Sequence, residues 1–175
     1  MAKIELGKPP ANFKKKITFD LPDGTKGDVE FLFKYRTRSD CIKLLNDLNS
    51  AEAKDNDSIQ DWLKVEFEKA DAKSLDIAKK DADKKGITDE TEIESIRLAA
   101  YKKILDKVKD ESIEKAVSLN NEKGISLIKA VADGWDLSDD FNDANITILI
   151  DTYPSVVEEV KENYRKVCIE GRAKN

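Results

Sequence analysis

Two short alternating runs around one tight turn constrain this chain more than any other feature. Lys16-Ile17-Thr18-Phe19-Asp20-Leu21 alternates polar with apolar, Pro22-Asp23-Gly24-Thr25 carries turn chemistry, and Val29-Glu30-Phe31-Leu32-Phe33-Lys34-Tyr35 resumes the alternation. The pattern predicts a β-hairpin. Ile17, Phe19 and Leu21 share one face with Val29, Phe31, Phe33 and Tyr35, and a lone hairpin is marginal in water until that face is covered. The cover is expected from a helix over 38–49, capped by Ser39 with Asp40 in its first turn. Its apolar stripe is Cys41, Ile42, Leu44, Leu45 and Leu48. The fold class is therefore α+β: an N-terminal β-hairpin packed by helices, with mainly helical middle and C-terminal parts.

Beyond that core the chain changes character. Residues 50–57, all small or polar, read as a loop closing a first section. Ile59, Trp62, Leu63, Phe67 and Ala70, continued by Leu75, Ile77 and Ala78, mark one face of a helix that Gly86 ends. Thr88 is the expected cap of a second charged helix carrying Ile93, Ile96, Ala99, Ala100, Ile104, Leu105 and Val108, reaching Ile113, Val117 and Leu119. Two helices with narrow apolar stripes predict an antiparallel pair. Ordinary packing within the chain is favoured over a partner-binding arm, because such stripes usually bury in their own domain. Asn120 to Gly124 reads as a turn, and Ile125, Leu127, Ile128, Val131 and Ala132 as a short helix closed by Gly134. Three sections result: 1–49, a charged helical hairpin over 50–124, and a C-terminal helical unit over 125–175 that forms one compact domain with 1–49.

The densest stretch runs from Gly134 to Pro154. Asp136, Ser138, Asp140 and Asn142 place oxygen ligands at alternate positions, as the start of a calcium loop does. Phe141 then stands where the loop needs glycine, and Thr147 where it needs a bidentate glutamate. The acidic run reads instead as turn and helix-start chemistry, with Asn142 or Asp143 capping a helix that carries Ile146, Leu149 and Ile150. Trp135, Phe141, Tyr153 and Tyr164 read first as core and second as partner surface.

Composition removes most enzymatic readings. The chain has no histidine, and so lacks the commonest general base and metal ligand. Cys41 and Cys168 stand far apart and show no zinc or redox spacing, which suits reduced structural thiols. Seven scattered glycines form no phosphate-cradling loop. Charged residues make up 38% of the chain, well above the roughly 25% of ordinary domains. They are interspersed around a net charge of -5, so no basic stripe offers itself to nucleic acid. Met1 to Pro10 has no apolar signal segment and begins a loose leader over 1–12, and no apolar run nears the about 18 residues a membrane span needs. The expectation is a cytoplasmic protein, not an enzyme, with no cofactor, no metal, and neither nucleic acid nor membrane as partner.

Several of these residues also carry a resemblance. Gly134-Trp135-Asp136-Leu137, Asp140-Phe141, Asn145, Leu149 to Pro154, Tyr164-Arg165 and Gly171 to Asn175 resemble the C-terminal region of tail assembly chaperones of long-tailed, siphovirus-like bacteriophages. Asp23-Gly24-Thr25, Phe31 to Lys34 and Arg38-Ser39 are similar to that family's N-terminal hairpin and helix entry. The resemblance covers both ends of the chain and not 50–124. It implies a non-catalytic chaperone in the cytoplasm of the infected bacterium, absent from the mature virion, which binds the tape measure protein, recruits the tail tube protein and self-associates. Trp135, Phe141, Ile146, Leu149, Tyr153 and Tyr164 are then the candidate partner-binding residues. The alternative is a structural tail or adaptor subunit retained in the virion. The ending Ala173-Lys174-Asn175 is also compatible with a slippery codon run, hence with a frameshifted longer form.

Overall fold

A computed structural model describes residues 11–171, and of Glu52 the backbone alone. Met1 to Pro10 of the expected leader, and the Ala173-Lys174-Asn175 ending, lie outside the described residues. The alternating runs form β1 (Phe13–Asp20) and β2 (Lys26–Phe33), antiparallel, with Ile17 opposite Val29 and Phe13 opposite Phe33. Gly24, at φ +82°, makes the turn, and Asp23 Oδ1 accepts from the Thr25 backbone N–H at 2.9 Å and its hydroxyl at 2.7 Å. One face buries Ile17, Phe19, Val29, Phe31 and Phe33. The other is a charge ladder in which Lys14 meets Glu30 at 3.0 Å, Lys16 meets Asp28 at 2.7 Å, and Lys26 pairs with Asp20. Such exposed pairs are worth less than about 1 kcal/mol each. Their weight lies in register: a one-residue slip would turn Lys14 and Lys16 into the core. Tyr35, expected on the apolar face, lies beyond β2 and is exposed.

Two long helices follow, α1 (Arg38–Lys85) and α2 (Glu90–Val131). Thr37, rather than Ser39, caps α1. Its Oγ1 accepts from the Asp40 N–H at 3.2 Å and donates to the Asp40 carboxylate at 2.6 Å. The expected loop over 50–57 is helix throughout. That run contains no glycine or proline, and its Ala, Glu and Lys residues favour helix, so its polarity means a solvated helix and not a break. α1 ends where Gly86 takes φ +68° and the Ile87 N–H bonds the Ala82 carbonyl at 3.0 Å. Asp89, not Thr88, caps α2, accepting from the Glu92 N–H at 2.9 Å.

α2 also runs through the expected turn at Asn120 to Gly124 and takes in the expected short helix. Ala132 to Trp135 is not helix but a third strand, β3 (Ala132–Trp135), antiparallel to β2 with Phe31 opposite Trp135. Gly134 therefore closes no helix. It pairs with Leu32 in the sheet, whose order is β1-β2-β3. Asp136 extends this edge: its N–H donates to the Glu30 carbonyl at 3.0 Å, and its carboxylate accepts from the Glu30 N–H at 2.9 Å. α3 (Asp143–Thr152) and α4 (Ser155–Glu170) complete an α+β fold.

The chain divides into two compact units. The first takes the chain up to Glu52 and from Asn120 onward, and the second is Ala53–Leu119. In the first, Leu127, Ile128 and Val131 of α2, Ile146, Leu149 and Ile150 of α3, and Val156, Val160 and Tyr164 of α4 form one core with the apolar sheet face. Leu44, Leu45 and Leu48 of α1 pack at its margin. The second unit is a helix pair. Ala70, Ser74, Ala78 and Ala82, every fourth residue of α1, are buried there with Val108 of α2. Arg97 bridges to Asp71 at 2.6 Å, and Lys115 Nζ lies 5.2 Å from the centre of the Trp62 ring.

Candidate partner-binding site

The six candidate residues gather in the first unit, and they gather as packing. The Trp135 ring meets Phe141 edge-on at 5.0 Å between centroids and Phe31 at 6.2 Å, while its indole N–H donates to the Asp139 carbonyl at 2.7 Å. Tyr153 lies 5.5 Å from Phe19. Tyr164 lies 5.5 Å from Phe33 and is fully buried, as is Ile146, with Leu149 nearly so. In this fold Tyr164 and Ile146 present no surface, and Leu149 very little. Trp135, Phe141 and Tyr153 keep partial exposure at the margin of the core.

The acidic run between them is used locally. Asn142 is the cap of α3, accepting from the Asn145 N–H at 2.9 Å, and the Asn145 side chain donates to the Asp140 carbonyl at 2.8 Å. Asp143 pairs with Lys129 of α2 at 2.7 Å. Among the described residues no group of three or more His, Cys, Asp or Glu is placed to hold a metal ion, and no described helix is long and apolar enough to cross a membrane.

Tyr164 is the polar centre of this region. Its hydroxyl donates to the Lys34 carbonyl at 2.9 Å and accepts from the Arg36 guanidinium at 2.9 Å. Burial pushes its pKa well above the ordinary tyrosine value, with Arg36 opposing, and burial pushes the Cys41 thiol up to about 11. Both groups hold their protons more tightly folded than unfolded. The stability this contributes is intact below the ordinary thiol value of 9.0 and drains away as pH rises toward 11. The urea midpoint is accordingly expected to fall between pH 9 and pH 11, and to fall less in Tyr164→Phe. A midpoint drop of equal size in that variant would show that Tyr164 does not carry its part of the effect.

Uncovered apolar side chains lie in both units: in the first, Ile148 of α3, Leu137, Ile42 and Tyr35 are exposed. In the second unit Val65, Phe67 and Leu75 of α1, with Leu98, Ile113 and Val117 of α2, are all exposed, Leu98 at 58%. Periodicity alone assigned Phe67, Leu75, Ile113 and Val117 to buried stripes. Ala70 and Ala78, expected on that stripe, are buried, and the pair closes on them together with Ser74 and Ala82, which the periodicity did not mark.

The described residues thus define an α+β protein in which the aromatics between Trp135 and Tyr164 pack within the first unit and the long charged helices carry uncovered apolar side chains. The family model for phage tail assembly chaperones matches residues 1–175, and the chain belongs to that family. No curated protein and no solved structure matches the chain.

Proposed function

We propose that this chaperone acts by binding, without catalysis, on the tape measure protein in the cytoplasm of the infected bacterium. It keeps that client soluble, promotes addition of the tail tube protein, and is absent from the finished virion. The observation that supports this reading is the exposed apolar set on the second unit. Six large apolar side chains stand in water on helices that are otherwise charged, and a surface of that kind suits amphipathic helices of a client. The small residues between α1 and α2 leave these larger ones free. Self-association through the same surface, and a longer form made by frameshifting near the C-terminal codons, belong to the same proposal.

Ile113 and Val117 lie one turn apart on one face of α2. The double variant Ile113→Asp, Val117→Asp is expected to fold normally by circular dichroism and to lower recovery of co-expressed, co-purified tape measure protein by about tenfold, equivalent to about 1.4 kcal/mol of binding. Unchanged recovery would remove this surface from the proposal, and failure of the unaltered chain to solubilise the client would remove the proposal itself. Mass spectrometry of purified virions distinguishes a departing chaperone from a retained tail subunit.

A further inference from the structure

The stretch from Gly134 to Pro154 carries the whole charge imbalance of the chain. It contains Asp136, Asp139, Asp140, Asp143 and Asp151 and no lysine or arginine, so that of 36 acidic and 31 basic residues the rest of the chain holds 31 of each. Two hydrogen bonds gather this charge. The Trp135 indole N–H donates to the Asp139 carbonyl at 2.7 Å, closing a loop with Leu137 at its middle, and the Asn145 side chain donates to the Asp140 carbonyl at 2.8 Å, tying the first turn of α3 to the same loop. Both bonds use backbone oxygens, and the five aspartates are all exposed. Asp136 accepts from the Glu30 N–H and Asp143 pairs with Lys129, whereas Asp139, Asp140 and Asp151 are in no ion pair among the described residues. Apolar surface lies on the same loop and helix. Leu137 is exposed, the Trp135 and Phe141 rings, 5.0 Å apart, are partly so, and Ile148, one turn beyond Asn145 on α3, is 62% exposed.

We propose that this loop and the outer side of α3 form a docking surface for a basic amphipathic segment of a separate polypeptide. Apolar side chains of the segment cover Leu137 and Ile148, and its lysines or arginines meet Asp139 and Asp140. Charge selects the occupant. Nucleic acid and anionic membrane surfaces carry the same sign as the five aspartates and are repelled. A second copy meeting the surface face to face would set those aspartates against their own counterparts, and the rest of the chain, with 31 charges of each sign, supplies no net positive surface for a head-to-tail contact. A polypeptide with a surplus of lysine or arginine fits. Apolar burial then supplies most of the affinity, while the carboxylates supply selection and association rate. The surface lies on the first unit and is independent of the exposed apolar set on the second, so the two readings stand or fall separately.

The test uses the full chain with Trp62→Phe, in which fluorescence reports Trp135 alone. It is titrated with three synthetic helical peptides of about four turns. One carries lysine and leucine on opposite faces, the second keeps the lysines and replaces leucine by serine, and the third keeps the leucines and replaces lysine by glutamate. The lysine–leucine peptide is expected to shift Trp135 emission and to bind at least about tenfold more tightly than either of the others. Asp139→Asn with Asp140→Asn, both at exposed side chains, is expected to weaken it about fivefold at about 50 mM salt, a difference that closes toward about 500 mM as the charges are screened. Leu137→Ser with Ile148→Ser is expected to weaken it about tenfold at both salt concentrations, and Ile113→Asp with Val117→Asp to leave it unchanged. A silent Trp135, equal binding of the serine or glutamate peptide, or unaltered affinity of the asparagine variant at low salt would each overturn the proposal, as would self-association of the chain that Leu137→Ser with Ile148→Ser abolishes.

Discussion

Phe31→Ala is expected to lower the unfolding free energy of the first unit by about 3–5 kcal/mol, a large share of the about 5–15 kcal/mol that holds a domain of ordinary stability. Phe31 sits on the central strand, opposite Lys15 on β1 and Trp135 on β3, and has no exposed surface. Its ring lies 5.8 Å from Phe33 and 6.2 Å from Trp135 between centroids. Truncation therefore removes ring contacts along the central strand and to β3 at once, and a pleated sheet cannot collapse into the space as a loop can. Phe67→Ala supplies the contrast, since Phe67 is 45% exposed and its loss is expected to cost less than about 1 kcal/mol. The chain's two tryptophans fall one in each unit. In a Trp62→Phe background, Trp135 fluorescence during urea unfolding reads the first unit alone. A cost for Phe31→Ala no greater than that for Phe67→Ala would mean that the sheet is not the centre of this core.

The hairpin and the cap of α3 were legible because they are local. Alternation, an Asp-Gly-Thr turn and an Asn three residues before its N–H partner need no knowledge of distant chain. The third strand was not legible, because Ala132 to Trp135 is too short to alternate and becomes a strand only through β2, whose second edge is otherwise open. The unbroken lengths of α1 and α2 were missed for a different reason. Polar runs at 50–57 and 120–124 look like loops by composition, yet nothing in the first forbids helix, and helix propensity differs among such residues by only tenths of a kcal/mol. The candidate site was legible as a cluster, in which Ile146, Leu149 and Tyr164 are buried while Trp135, Phe141 and Tyr153 keep partial exposure. Aromatic density between Trp135 and Tyr164 marks a place where side chains meet, which is as true of a core as of an interface. The uncovered residues of the second unit stayed hidden because two stripes on α1 compete for the same partner helix. The expected stripe joined Phe67 and Leu75 to Ala70 and Ala78, whereas close approach of two backbones favours the small residues alone, Ala70 and Ala78 with Ser74 and Ala82.

Gly124 brings these points together, since its presence suggested a turn and its surroundings show why no larger residue stands there. It lies inside α2 and is not among the glycines with positive φ. A Cβ on it would sit 2.8 Å from Ile150 Cδ1 of α3 and 3.0 Å from Val157 Cγ2 of α4. The site needs hydrogen rather than a left-handed backbone. Gly124→Ala adds one methyl group against the mobile end of Ile150 and a stiff Val157. Helix propensity gains about 1 kcal/mol from the change, so the net effect is expected to be small. Gly124→Leu has no such balance. Its further carbons must displace α3 and α4 from α2, and overpacking of this kind costs about 1–3 kcal/mol, with the upper end expected because two helices are pushed at once. The two variants separate the explanations by urea unfolding followed at Trp135. If residue 124 were a solvated turn, leucine and alanine would behave alike. In the packed helix they differ by about 2 kcal/mol or more, and Gly124→Leu, Ile150→Ala is expected to recover part of the loss by vacating the space that leucine needs.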